Sequence, residues 1–230
     1  MIDHNSEKSL YEYAKYQDQL DPLAEFKQLF HTGDPDQIYL DGNSLGKLPK
    51  AAISLSEEIV KKQWGDRLIR SWNENWIDLP QVLGEKISHL VGATANEIIV
   101  SDSTSVNLFK LVVAAINNRS GRNKILTDDT NFPSDIYILQ GIRNLLGDRH
   151  NIVVAQTSFG NNDPEDIIIE SIDENTALVI LSHVAFKSGY RYDMEKITNA
   201  AHKHGAFILW DLSHSTGAIE IQLNKWNVDF

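Results

Sequence analysis

Three short polar clusters in this chain sit where apolar runs give way to helix-forming segments, which is where side chains can do chemistry. The first is Ser101-Asp102-Ser103-Thr104-Ser105-Val106-Asn107. Hydroxyls and backbone N–H groups at a helix N-terminus form an anion site suited to a phosphate. Plain N-capping is the competing role for the same residues. No Gly-x-Gly-x-x-Gly or Walker pattern accompanies them, so a nucleotide is not specifically indicated. The second cluster is Asn131-Phe132-Pro133-Ser134-Asp135. Phe132, beside a proline that starts a helix, offers a flat face to a planar ligand; a buried staple is its plainer use. The third is Trp210-Asp211-Leu212-Ser213-His214-Ser215. A carboxylate ending a buried strand is costly unless paired, so Asp211 calls for a partner such as a protonated heterocycle. His214, three residues on, is near enough to line the same pocket. Asp211 could instead cap the next helix. An Asp211–His214 metal pair lacks a third ligand, and His202 and His204, two apart on a helix, diverge.

The elements that must carry these clusters follow from periodicity and punctuation. A helix is expected from Asp21-Pro22 through Phe30, and a short strand at Ile38-Tyr39-Leu40 leading into Asp41-Gly42-Asn43-Ser44-Leu45-Gly46. Pro49 opens a helix to about Arg70; a Trp-rich stretch from Ser71 to Trp76 follows; a helix from Leu79-Pro80 to Val91 ends at Gly92. Ile98-Ile99-Val100 has the continuous apolar character of a strand buried on both faces. From there the expected order is helix 104–117, strand 124–127, helix 133–146, strand 152–155, a short helix from Asp163-Pro164, strand 177–181, a helix capped by Asp193, and strand 206–210 ending in Asp211. Val228-Asp229-Phe230 looks like the start of another strand. Alternating strands and helices with short links predict an α/β fold, a mostly parallel sheet with helices on both faces, preceded by an N-terminal helical arm. In such sheets ligands sit at the carboxyl ends of the strands. Three regions are expected: an arm and substrate-side loop over 1–48, a helical segment over 49–92, and a large ligand-binding domain over 93–230.

Composition narrows the class. Of 230 residues, 42% are hydrophobic and 23% charged, which excludes collagen-like and mostly disordered chains. The net charge of −11 gives no basic footprint for nucleic acid. Zero cysteines exclude a disulfide framework and a thiol nucleophile, and fit a reducing, cytoplasmic setting. No apolar run approaches the ~20 residues of a membrane span, and the polar stretch from Met1 to Leu20 lacks the pattern of a signal peptide.

A phosphate cradle, an aromatic plate and a strand-end acid together suggest pyridoxal 5'-phosphate, which needs all three. The chain resembles the kynureninase family in Ile38-Tyr39-Leu40-Asp41-Gly42-Asn43-Ser44-Leu45-Gly46, Trp64-Gly65, Ile69-Arg70-Ser71-Trp72, Asp102-Ser103-Thr104-Ser105-Val106-Asn107-Leu108-Phe109, Asn131 to Asp135, and Trp210 to Ala218, in the family's order from about Asp21 onward. The strand-end aspartate is shared by the wider aspartate-aminotransferase-like superfamily. The resemblance implies a fold-type-I pyridoxal-phosphate hydrolase, a homodimer, that converts L-kynurenine or its 3-hydroxy form to anthranilate or 3-hydroxyanthranilate and L-alanine, in tryptophan catabolism or NAD precursor synthesis. Carried over, it implies that Thr104 and Ser105 hold the phosphate, Phe132 stacks on the pyridine ring, Asp135 supports the ring-side polar network, Asp211 pairs with the pyridinium nitrogen and His214 lines the pocket. Asn43, Ser44 and Trp72 are implied near the substrate. One stretch departs from the family's His-Val-Asn-Tyr-Arg-Thr-Gly: here it is His183-Val184-Ala185-Phe186-Lys187-Ser188-Gly189. Ala185 lacks the hydrogen bonds of Asn, and Lys187 lacks the planar fork of Arg.

The family's Schiff-base lysine lies in a Tyr-Lys-Tyr segment some two dozen residues beyond the strand-end aspartate, and no such segment occurs here. Lys225, the only lysine after Asp211, is expected at the surface. The chain therefore reads as an N-terminal portion of such an enzyme, inactive by itself. Two rivals are another fold-type-I lyase, cysteine-desulfurase-like, and a non-catalytic binding or dimerisation module of the same fold.

Overall fold

The computed structural model describes residues 4–147, 149–158 and 163–230, with side chains from residue 9 onward. Met1, Ile2 and Asp3 of the expected arm lie outside the described residues. The chain divides into two compact units, Met1–Asn75 and Trp76–Phe230.

The first unit is helical. Its elements are α1 (His4–Leu20), a 3-10 turn (Ala24–Leu29) and α2 (Lys50–Glu58). The helix expected from Asp21 is only this 3-10 turn, entered through an Asx turn in which Leu23 N–H donates to Asp21 Oδ1 at 2.9 Å. That local bond competes with helix initiation. Pro49, extended at φ −66°, precedes α2 and sacrifices no hydrogen bond there. The helix expected to reach Arg70 changes character at Ile59, continues with wider i→i+5 turns to Arg67, and stops at Leu68, whose φ is +52°. A second wide turn covers Trp72–Trp76. Ile38-Tyr39-Leu40 is not a strand: Ile38 is 85% and Leu40 91% exposed. Among the described residues no ladder pairs with it, and extended chain without a partner has no hydrogen bonds to hold it.

The second unit is built on a four-stranded sheet. Its elements, in chain order, are α3 (Leu79–Val91), α4 (Thr104–Asn117), β1 (Lys124–Asp128), α5 (Pro133–Leu145), β2 (Asn151–Ala155), α6 (Pro164–Glu170), β3 (Thr176–Ser182), α7 (Met194–Lys203) and β4 (Phe207–Asp211). The strand order is β2-β1-β3-β4 and every pair is parallel. All seven residues of β3 are buried, as a central strand covered on both faces requires.

Strand alternation sorts the core into two layers. Leu126, Val179, Leu181, Ile208 and Trp210 face Ile168 of α6 and Met194, Ile197 and Ala201 of α7. Ile125, Leu178, Ile180 and Leu209 face Leu108, Val112 and Ile116 of α4 and Leu139 and Ile142 of α5. Each such large apolar side chain contributes about 1.5–3 kcal/mol by leaving water, so helices flank the sheet on both sides as the sequence pattern requires. Helix ends follow their signals: Asp193 accepts from Lys196 N–H at 2.9 Å to cap α7, and Gly92 closes α3 at φ +64°.

Ile98-Ile99-Val100 is a correction. The segment is extended but outside the sheet, and Ile99 is 72% exposed. It lies on α3 instead: Val100 N–H donates to the Pro80 carbonyl at 3.3 Å, and a Cβ at Gly84 would come within 2.1 Å of the Ile98 oxygen. Gly84 thus permits a backbone contact that the apolar run alone could not announce. Val228-Asp229-Phe230 runs beside β4 in the parallel pattern, with Trp210 N–H donating to the Phe230 carbonyl at 3.0 Å and Phe230 N–H to Ile208 at 3.2 Å. Among the described residues no helix is long and apolar enough to cross a membrane.

Candidate functional site

Because all four strands run the same way, their carboxyl ends share one edge, and the register sets Ser182 of β3 directly beside Asp211 of β4. A cavity of about 510 Å³ opens there, lined by Thr104, Asn107, Asp135, Asp211, Ser213 and Thr216, with Leu108, Leu111 and Leu209 as its apolar wall. The structure therefore brings together Thr104, Asp135 and Asp211, which stand 107 positions apart at the extremes of the sequence.

Asp211 is half-buried, and its two oxygens differ. Oδ1 accepts from Ser213 N–H at 2.9 Å and from Ser213 Oγ at 2.5 Å. Among the described residues Oδ2 has only the Ser182 hydroxyl, at 3.4 Å. Asp135, in the first turn of α5, is 1% exposed. Burial, and then the charge of Asp211, push its carboxyl up to about 6, against a smaller lowering by the Ser134 hydroxyl 3.4 Å away. Its Oδ2 is buried with no hydrogen-bond partner.

Phe132 stands just before α5 and is 40% exposed. Its ring meets Phe186 edge-on at 5.1 Å and lies 6.4 Å from the His214 ring. The sequence-predicted plate and histidine are thus neighbours. Thr104 is exposed and Ser105 half-buried at the start of α4. Ser103 caps this helix by accepting from Val106 N–H at 3.5 Å. Asn107 Nδ2 ties the approach by donating to the Ser101 carbonyl at 2.7 Å. The amides of Thr104 and Ser105 have no intrahelical acceptor, as first-turn amides never do. Plain capping thus falls to Ser103, leaving Thr104 and Ser105 for another partner.

Asn43, Ser44 and Trp72 belong to the first unit. There the Asp41 carbonyl accepts from Ser44 N–H at 3.2 Å and from the Tyr39 hydroxyl at 2.8 Å, closing the loop that carries Asn43 and Ser44. Trp72 opens the wide turn and is 48% exposed.

The sequence reading gave no role to Ser182 or Asn131, although both are central. Ser182 is 4% exposed and Asn131 2%. Ser182 Oγ donates to Asn131 Oδ1 at 2.7 Å, and Asn131 Nδ2 donates to Thr127 Oγ1 at 3.0 Å. The available signal was a serine closing the apolar run of Ala177–Leu181. His183, next to it, points elsewhere. It packs edge-on against Trp210 at 5.9 Å and helps line a separate cavity of about 550 Å³ with Arg191, Lys225 and Trp226. Burial and the nearby Arg191 charge lower its basicity. Ala185 is buried, Lys187 is exposed beside the Phe186 ring, and Lys225 is exposed as expected.

What this edge can do is hold an anion at α4, cover a planar ring with Phe132, and offer one free carboxylate oxygen to a ring N–H. Two relatives give this arrangement its context. The kynureninase of Pseudomonas fluorescens is 38% identical over 218 residues, covering 93% of this chain and 50% of the relative. That of Deinococcus radiodurans is 41% identical over 219 residues, covering 93% and 51%. This chain spans about half the length of the curated relatives it matches. Among solved structures, the cysteine desulfurase CsdA from Escherichia coli superposes with a TM-score of 0.74 at 14% identity, over 91% of this chain and 53% of that one. A C-DES mutant with glycine covalently linked to its PLP cofactor gives 0.69 at 18%, over 91% and 54%. At such identities these two share the fold alone. The model of one family, aminotransferase class-V, spans residues 38–230, from the Asp41 loop through every strand of the sheet, and the chain is a member of that family.

Proposed function

We propose that this chain is the pyridoxal-phosphate-binding part of a hydrolase that cleaves L-kynurenine, or its 3-hydroxy form, to anthranilate or 3-hydroxyanthranilate and L-alanine. The observation that carries the reading is Asp211, whose Oδ2 has a single contact at 3.4 Å and which lines the same cavity as Thr104 at the start of α4. The 37–41% identity to kynureninases supports the substrate class.

The residues fit the cofactor on this structure's own evidence. Asp211 has an uncommitted oxygen, Asp135 has a buried oxygen without a partner, and the first amides of α4 lack acceptors. Bound there, pyridoxal phosphate supplies an electron sink adjoining the amino acid's α-carbon. Thr104 and Ser105 hold the phosphate with hydroxyls and amides, aided by the helix dipole. Phe132 covers one ring face, with His214 beside it. Asp211 Oδ2 accepts the ring N–H and keeps that proton in place, an interaction worth most when negative charge develops on the ring. Asp135, raised to about 6, adds little repulsion to Asp211 below that pH. Asn43, Ser44 and Trp72 are assigned to the substrate side. Among the described residues no lysine lines this cavity.

A homodimer in the cytoplasm is the assembly and setting we assign. The exposed apolar side chains of Ile99, Val106 and Phe109 and the absence of cysteine support it; sedimentation of the purified protein checks the dimer. The activity is tested on the whole protein, purified and supplied with pyridoxal phosphate, by following anthranilate and alanine from kynurenine in parallel with alanine from L-cysteine. Equimolar anthranilate and alanine is the expected result. Alanine from cysteine with none from kynurenine would overturn the substrate assignment.

A further inference from the structure

Asn131 sits under the site and touches three of its parts. Phe132 N–H donates to its side-chain oxygen at 2.8 Å, Ser182 Oγ lies 2.7 Å from that same oxygen, and its Nδ2 reaches Thr127 Oγ1 at 3.0 Å. The amide's orientation follows from these partners. A backbone N–H can only donate, so the atom facing Phe132 must be Oδ1 and the atom facing Thr127 must be Nδ2.

That orientation fixes the Ser182 proton. An amide oxygen only accepts, so the single hydroxyl hydrogen of Ser182 points at Asn131 Oδ1. With that proton held along the 2.7 Å bond to Asn131, it is not given to Asp211 Oδ2 across the longer 3.4 Å contact. The other Asp211 oxygen is taken by Ser213. Ser182 is 4% exposed, so no bulk water competes for its proton.

We infer that Asn131 is a positioning residue that withholds the Ser182 proton from Asp211, keeping Oδ2 free for a ring N–H, while its bond to Phe132 N–H fixes the start of the ring-covering residue. The inference rests on the assignment of pyridoxal phosphate to this cavity. Without the Asn131 amide, the Ser182 hydroxyl rotates and donates to Asp211 Oδ2, drawing off part of the negative charge that the cofactor's ring N–H would meet there.

The test measures the dissociation constant of pyridoxal phosphate, by absorbance and induced circular dichroism, in the whole protein. Four forms are compared: unmodified, Asn131→Ala, Ser182→Ala, and the double variant, each first shown to be folded by far-ultraviolet circular dichroism. Asn131→Ala is expected to weaken binding about tenfold, as loss of one hydrogen bond to a charged group does. Ser182→Ala is expected to stay within about threefold, because Asn131 Oδ1 keeps the Phe132 N–H as donor. The double variant is expected to regain most of the loss, since the competing hydroxyl is gone. Unchanged affinity in Asn131→Ala, or a double variant as weak as Asn131→Ala, overturns the inference. If Asn131→Ala does not fold, Ser182→Ala decides alone: a loss of tenfold or more makes Ser182 a direct partner and overturns it. Failure of the unmodified protein to bind pyridoxal phosphate would instead refute the cofactor assignment.

Discussion

Two strands of the same sheet end in an aspartate, and the two carboxylates have opposite fates. Asp128, closing β1, is 0% exposed, and its Oδ2 collects the Tyr192 hydroxyl at 2.6 Å, the Thr157 hydroxyl at 3.2 Å and the Thr130 hydroxyl. Its Oδ1 is buried without a partner, whereas Asp211, closing β4, is half-buried, lines a cavity and has its nearly bare oxygen on a side chain that solvent reaches. Position at a strand end is therefore not enough to make a carboxylate functional. At β1 one donor, Thr130, is local, but the others come from the β2 exit and the approach to α7, so the group ties loops together. At β4 both donors to Oδ1 come from Ser213, two residues on, and Oδ2 is left with one contact at 3.4 Å. Burial and the Asp128 charge push the Tyr192 phenol well above its usual range, so it stays a donor throughout the working pH range.

The sharpest way to break this contrast is to delete each carboxylate in turn. Asp211→Ala should cut turnover of the cofactor-loaded protein by roughly 10²–10³-fold, the scale of losing one electrostatic stabiliser. Its urea midpoint should barely move. Asp128→Ala should do the reverse: a stability loss of about 2–4 kcal/mol from three hydroxyls left without their acceptor, with cofactor affinity retained. If Asp128→Ala abolished cofactor binding while remaining folded, the division between clamp and site would be wrong.

The third prediction concerns Asp135, the buried carboxyl nearest in charge to Asp211. Its folded value, about 6, lies above the ordinary 3.8. The native state therefore holds the proton more tightly than the unfolded chain. Whatever stability Asp135 contributes is complete below about pH 4 and is lost as pH rises through 6. Asp135→Asn should stabilise the cofactor-free protein at pH 7 by up to about 3 kcal/mol and leave it unchanged at pH 3.5. Urea titrations at the two pH values give the answer, and equal effects at both would remove the proposed repulsion. The smallest effect is expected from Ser213→Ala. Asp211 Oδ1 keeps the Ser213 backbone N–H, so the loss is about 0.5–1.5 kcal/mol of cofactor affinity, readable by absorbance titration.

Much of this was legible in the chain because the relevant signals are local. Pro133 and Asp193 mark helix starts, Gly92 marks an end, and the continuous apolar run of Ala177–Leu181 marks a central strand. Asp211 was legible for the same reason, as an acid ending such a run. Ile98–Val100 and Ile38–Leu40 show the limit. Both have strand composition, yet strand formation depends on a partner, and the first found a glycine on α3 instead. The wide turns of Ile59–Arg67 carry only a weak compositional mark, Gly65, which an ordinary helix interior disfavours. Ser182 and Asn131 stayed hidden because they act across 51 positions of sequence, and hydroxyl–amide pairs leave no periodic trace.

The strand order has a consequence for how the molecule can be made. In β2-β1-β3-β4, β1 comes first in the chain, β2 adds at one side of it, β3 at the other, and β4 outside β3. A chain leaving the ribosome can thus enlarge its sheet outward, with no later strand forced between two already joined. Val228–Phe230 continues the rule at the outer margin of β4. Asp211 arrives on the last of the four strands, so Thr104 and Asp135 wait on a growing platform until it docks. A nascent chain arrested before Trp210 would hold three of the four strands and lack Asp211, the acid proposed to meet the ring N–H.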